Sequence, residues 1–143
     1  MSSWQRIAQA VTQFFAPRPA SPRGPLQAVN TTRGTTLATH LESAQSSHTR
    51  RKGLLGREGL EPGGGLWIVP CESVHTFFMR FAIDLVYLDR KQRVRKVRHA
   101  VGPWRISGCL TAHSVLELPA GTVSATRTER GDELKIAEEG IGG

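Results

Sequence analysis

The chain has 143 residues, with 38% apolar and 22% charged side chains, which is enough to bury one core and too apolar for a disordered segment. Nineteen Lys and Arg against twelve Asp and Glu leave a net charge of +7, which favours anionic encounters without naming a partner. No stretch approaches the ~20 apolar residues of a membrane span, and the N-terminus has no secretory pattern. The only cysteines are Cys71 and Cys109, so a reducing cytoplasm and two free thiols are expected.

In chain order, residues 1–16 predict an amphipathic helix. Trp4, Ile7, Ala8, Val11, Phe14 and Phe15 recur at helical spacing, and Pro17 ends the run. Its face would pack on the domain or on a partner. Arg6 is its one polar-face cation, so lipid attachment would be weak. Residues 17–25, PRPASPRGP, hold four prolines and form a linker. The folded domain is expected over 26–137, with 138–143 a frayed tail.

Within the domain, residues 26–42 predict strand, turn at Arg33-Gly34, and strand, on the alternation of Leu37, Thr39 and Leu41 with Thr36, Ala38 and His40. Residues 45–56 predict a short helix stopped at Gly56, basic through Arg50, Arg51 and Lys52. GLEPGGG at 59–65 is a loop. Short strands follow at Leu66–Val69, Thr76–Met79, Asp84–Asp89 and Val94–Ala100. The run Leu85 to Leu88 is apolar at every position, so this strand should be covered on both faces. Val115–Leu118 and Glu133–Ala137 are the last strands, set off by turns at Pro119-Ala120-Gly121 and Gly131-Asp132. Many short strands and one internal helix predict a mainly β domain, a compact sandwich or barrel.

Three blocks in this order, RRKGLLGRE at 50–58, CESVHTFFMRFAIDLVYLD at 71–89, and VLELPAG with GDEL between 115 and 134, resemble the DUF192 family. These are small bacterial and archaeal domains of unknown function, and the similarity spans roughly residues 26–137. It implies a mainly β, sandwich-like barrel with one helix. It carries over onto Gly53, Leu54, Gly56 and Arg57, then onto His75, Phe77, Met79, Arg80, Asp84 and Asp89, and finally onto Glu117, Pro119, Gly121, Gly131 and Asp132. Ile83 stands where the family often has Pro before its Asp. The family has no agreed activity, so the resemblance speaks for the fold and leaves function open.

The residues able to do chemistry are concentrated between Cys71 and Asp84, with Glu117 beyond. Arg57, His75, Met79, Arg80, Asp84 and Glu117 are the candidate ligand-binding set, with the two arginines as an anion clamp beside the aromatic residues Trp67, Phe77 and Phe78. The bland alternative for Arg80 is a salt bridge to Asp84 or Glu117. If the domain is an enzyme, His75 is the candidate base, assisted by Asp84 or Glu117. More often a lone strand histidine is only a hydrogen-bonded residue. Cys71-x3-His75 and Cys109-x3-His113 imitate zinc spacing, but an extended segment holds the two ligands of each pair too far apart. No metal or other cofactor is expected.

The run at 90–98 contributes Arg90, Lys91, Arg93, Arg95, Lys96 and Arg98. It is either a solvated edge that blocks aggregation or a nucleic-acid contact, and no interleaved aromatics support base stacking. The favoured function is a non-enzymatic binding module for a small anionic ligand or an acidic partner segment. A hydrolase-like enzyme and nucleic-acid association stand as the alternatives.

Overall fold

A computed structural model describes residues 25–138. The helix expected at 1–16, nearly all of the linker, and the chain beyond 138 lie outside the described residues. The elements run β1 (Leu26–Asn30), β2 (Thr35–Ala44), α1 (Ser47–Lys52), β3 (Gly64–Ile68), β4 (Ser73–His75), β5 (Ile83–Leu88), β6 (Val94–Val101), β7 (Ile106–Gly108), β8 (Ser114–Pro119), α2 (Thr122–Thr126) and β9 (Leu134–Glu138). Seven strands form one sheet in the order β6-β5-β8-β3-β2-β1-β9, and β4 pairs with β7 in a separate ribbon. Every neighbouring pair is antiparallel except β2 with β3, which run parallel.

The sheet curls so that its two ends meet. The β5–β6 turn reaches β9 through an Arg93–Glu133 bridge, and the Leu134 amide donates to the Gln92 carbonyl at 3.0 Å. The result is a mainly β half-barrel with two short helices, in agreement with the expected class. Strand alternation divides the core. Val86 and Leu88 of β5 and Leu116 and Leu118 of β8 enter one cluster with Leu26, Leu37 and Val123. Ile83, Leu85 and Tyr87 enter the other with Leu54, Leu66, Ile68, Val74, Met79 and Val115. All six residues of β5 are buried, as its unbroken apolar run predicts. Each of its aliphatic side chains contributes about 1.5–3 kcal/mol on full burial.

Two irregularities shape the sheet. The β1–β2 register slips between Leu26 and Val29, so that neighbours Leu37 and Ala38 are both buried rather than alternating. At Gly65 a Cβ would lie 2.9 Å from a Leu118 methyl and 3.0 Å from the Glu117 carbonyl oxygen. Only glycine lets β3 approach β8 this closely, which is why the glycine-rich loop ends inside a strand.

The structure departs from the sequence reading in four places. The helix of 45–56 shrinks to α1, capped by Ser46 and stopped at Gly53, whose φ is 47°. The strand expected at Thr76–Met79 is a tight turn, and the strand precedes it as β4. The Thr76 carbonyl accepts from both Met79 (3.2 Å) and Trp104 (3.1 Å), and Phe78 has a φ of 64°. The short strand β7 and the helix α2 were not anticipated.

The start of α2 depends on a residue far away in sequence. Its N-cap, Gly121, supplies no side-chain hydrogen bond. The fully buried Asp84 of β5 does so instead. One oxygen accepts from the amides of Gly121 (3.1 Å) and Val123 (2.8 Å), and the other accepts from the Ala100 amide of β6 at 2.8 Å. Hydrogen bonds to a buried carboxylate contribute about 1.5–3 kcal/mol each. Asp84→Asn, which removes the charge and turns one acceptor into a donor, is expected to lower stability by about 2–4 kcal/mol. Urea unfolding would show this as a lower midpoint at unchanged slope, and an unchanged midpoint would refute it.

Candidate functional site

Pairing with β5 and β3 sets Glu117 opposite Leu85 and Leu66. With Leu116 and Leu118 turned into the first cluster, the Glu117 side chain must enter the second, among aliphatic groups. The residue is 4% exposed, and its Oε2 has no hydrogen-bond partner. Burial drives its pKa up to about 7, and the positive charge of Arg57 only partly opposes this.

Glu117 lies on the wall of a cavity of about 400 Å³, together with Leu54, Ile68, Cys71, Val74, His75 and Met79. The basic end of α1 covers one side through Arg50, Arg51 and Lys52. These cations lie at the helix C-terminus, where the helix dipole favours positive charge. Arg50 is held in place by donating to the Pro70 carbonyl (3.3 Å) and the Ser47 hydroxyl (3.4 Å), and none of the three has an ion-pair partner among the described residues. The pocket therefore has a cationic rim, an aliphatic wall and a single carboxyl.

Of the six residues singled out in the sequence, His75, Met79 and Glu117 share this cavity. The other three do not line it. Arg57 forms a two-pronged pair with Glu42, at 2.7 and 3.2 Å, which lowers the Glu42 pKa, and it reaches Glu117 only through its field. Exposed Arg80 faces Glu58 at 3.8 Å rather than Asp84 or Glu117. Asp84 sits opposite Leu118 in the register and points to the other face of the sheet, where the backbone amides of Ala100, Gly121 and Val123 occupy it. Sequence reasoning passed over Arg50 and Lys52 as site residues, although the basic end of the predicted helix was the available signal.

His75 begins a row of rings. It packs on Phe77 at 5.1 Å between centroids, Phe77 on Trp104 at 5.7 Å, and Trp104 on Phe78 at 4.7 Å. Phe78 and Trp104 are 71% and 56% exposed, both on left-handed backbone. Cys71 donates its thiol to the Ser73 carbonyl at 3.1 Å, and burial pushes its pKa up, the opposite of a reactive thiolate. Both cysteines are free. Among the described residues no three His, Cys, Asp or Glu side chains are placed to share a metal ion. In the basic ribbon, Arg93 pairs with Glu133 at 2.9 Å, Arg95 donates to the Thr111 hydroxyl at 3.3 Å, and Lys96 donates to the Gly108 carbonyl at 2.7 Å. Arg90, Lys91 and Arg98 are exposed.

Glu117 makes stability depend on pH in a defined sense. The unfolded carboxyl ionises near 4.5 and the folded one near 7, so the native state keeps its proton longer. Stability therefore falls as pH rises from about 4.5 through about 7, by on the order of 3 kcal/mol, and then levels off. Glu117→Gln should flatten this slope and be more stable than the parent at about pH 8. Denaturation midpoints across that window are the check, and parallel curves for the two proteins would sink it.

The DUF192 family, described as an uncharacterized ACR, matches residues 28–136. A UPF0127 protein of Thermococcus sibiricus is 30% identical over 125 residues, covering 78% of this chain and 76% of its own. Another from Thermococcus gammatolerans is 31% identical over 110 residues, covering 73% and 71%. A crystal structure from Sinorhizobium meliloti, described as a candidate transcription regulator, superposes with a TM-score of 0.69 at 22% identity, covering 78% of this chain and 91% of that one. A protein of unknown function from Novosphingobium aromaticivorans gives 0.68 at 19% identity, covering 84% and 94%. At such identities the two structures speak for the fold alone. Among the described residues no helix is long and apolar enough to cross a membrane. The chain belongs to the DUF192 family, whose members have no established function.

Proposed function

We propose that the domain is a binding module whose cavity beside α1 takes a small anionic ligand or an acidic segment of a partner. One observation carries this reading: three cations from a single helical turn border a cavity with one aliphatic wall, and they have no acidic partner among the described residues. Arg51 and Lys52 are exposed and Arg50 is half-buried, and the apolar wall beside them excludes water from one side of the site, which strengthens their hold on an anion. Arg50 is already positioned by two hydrogen bonds, so less conformational freedom is lost on binding.

Binding is favoured over catalysis because the acid–base set converges only in part, and Glu117 Oε2 has no hydrogen-bond partner. Glu117 and His75 share the cavity while Asp84 is turned away from it, and the nearby thiol is held protonated. Nucleic-acid association draws less support, since Arg93, Arg95 and Lys96 are engaged locally. Two free thiols fit a reducing cytoplasm.

Thermal-shift screening with phosphate, di- and tricarboxylates, and Asp/Glu-rich peptides should find at least one stabilising anion. Arg50→Gln combined with Lys52→Gln should weaken that anion about tenfold or more, because hydrogen bonds to charged groups are lost. No stabilisation by any of these probes, or an unchanged affinity in the double variant, would remove the reading.

A further inference from the structure

The proposed anion site accounts for the cations of the cavity but leaves its carboxyl unexplained. An anionic ligand has no use for Glu117, and an ionised Glu117 would repel it. Yet the side chain is 4% exposed, its Oε2 accepts nothing, and the one cation known to act on it, Arg57, is fully paired with Glu42. Packing does not demand an acid here, since an aliphatic side chain would suit the surrounding Leu66, Ile68, Leu85 and Met79 equally well. A buried, unsatisfied acceptor on a cavity wall calls for a donor that enters with the occupant.

We propose that the occupant is amphoteric: its anionic end rests against Arg50 and Lys52, and its inner end carries a protonated amine that donates to the Glu117 carboxylate. This rests on the cavity being a ligand site, and it narrows the ligand to compounds with an acid and an amine separated by an apolar spacer. The spacer would lie along the aliphatic wall. The other ionisable groups facing Glu117 are Arg57 beyond α1, Cys71 after β3 and Tyr87 of β5, with Arg50 and His75 at the cavity. Burial keeps the thiol and the phenol neutral, so the carboxyl is the group whose proton an incoming ammonium displaces. The balance is simple: the carboxyl O–H bond breaks, the proton leaves to solvent, and the carboxylate accepts N–H from the ammonium.

The test titrates the full chain with two matched series, ω-amino acids from glycine to 6-aminohexanoate and the plain carboxylates from acetate to hexanoate. Binding is followed by amide chemical shifts and by calorimetry in two buffers of different ionisation enthalpy. At least one amino acid should bind about tenfold tighter than its carboxylate, the strength of a hydrogen bond to a charged group. The two buffers should report release of roughly 0.7 proton at about pH 6.5. In Glu117→Gln the preference and the proton release should both vanish. If both series bind equally and no proton is released, or if the variant keeps the preference, the amine assignment is wrong while the anion site stands. If neither series binds, the amine assignment falls, and the anion site then stands or falls by the phosphate and polycarboxylate screen. The proton measurement needs only the parent chain, so a misfolded variant would not protect the proposal.

Discussion

The geometry of the domain is organised around one buried negative charge. Asp84 has no access to solvent, so its carboxylate must collect donors from the protein or be prohibitively unfavourable. It collects amides from three places, the end of β6, the corner after β8 and the first turn of α2. These contacts tie β5 to both of its neighbours at the same end of the sheet. They also fix strand parity. With Asp84 on one face, Ile83, Leu85 and Tyr87 must occupy the other, and the pairing of Leu85 with Glu117 follows. The cavity carboxyl stands where it does because a different carboxylate is anchored on the opposite side.

These two acids show how environment divides the same chemistry. Asp84 is surrounded by oriented amide dipoles that suit its charge. Glu117 is surrounded by methyl groups and sees one cation at a distance, so its neutral form is favoured up to about pH 7. The first is a structural fastener. The second is a side chain of adjustable charge at the edge of a hollow bordered by cations.

Much of this was legible in the sequence. The uninterrupted apolar run of β5 predicts a strand covered on both faces, and the position of Glu117 between two leucines predicts a side chain facing away from theirs. The sequence grouped Arg57, Arg80 and Asp84 with His75, and their separation was not legible because, for Arg80 and Asp84, it depends on how residues 76–83 turn. That turn rests on left-handed backbone at Phe78, an aromatic residue with no local preference for it, and on a long-range hydrogen bond from Trp104. The α2 helix was hidden for a related reason. Its capping group comes from Asp84, far outside any local window. The brevity of β4 and β7, three residues each, leaves too little alternation to detect.

The parallel pairing of β2 with β3 has one more effect. Parallel neighbours cannot be joined by a tight hairpin, so the chain from Ala44 must cross over before rejoining the sheet at Gly64. That crossover is what brings α1 and its cations to the cavity, whereas Ile68 and Glu117 belong to the paired strands beneath. The cationic border of the cavity and the paired strands beneath it thus come from separate stretches of the chain. Substitutions in that surface excursion change the charge at the cavity's edge while leaving the ladder of backbone bonds intact.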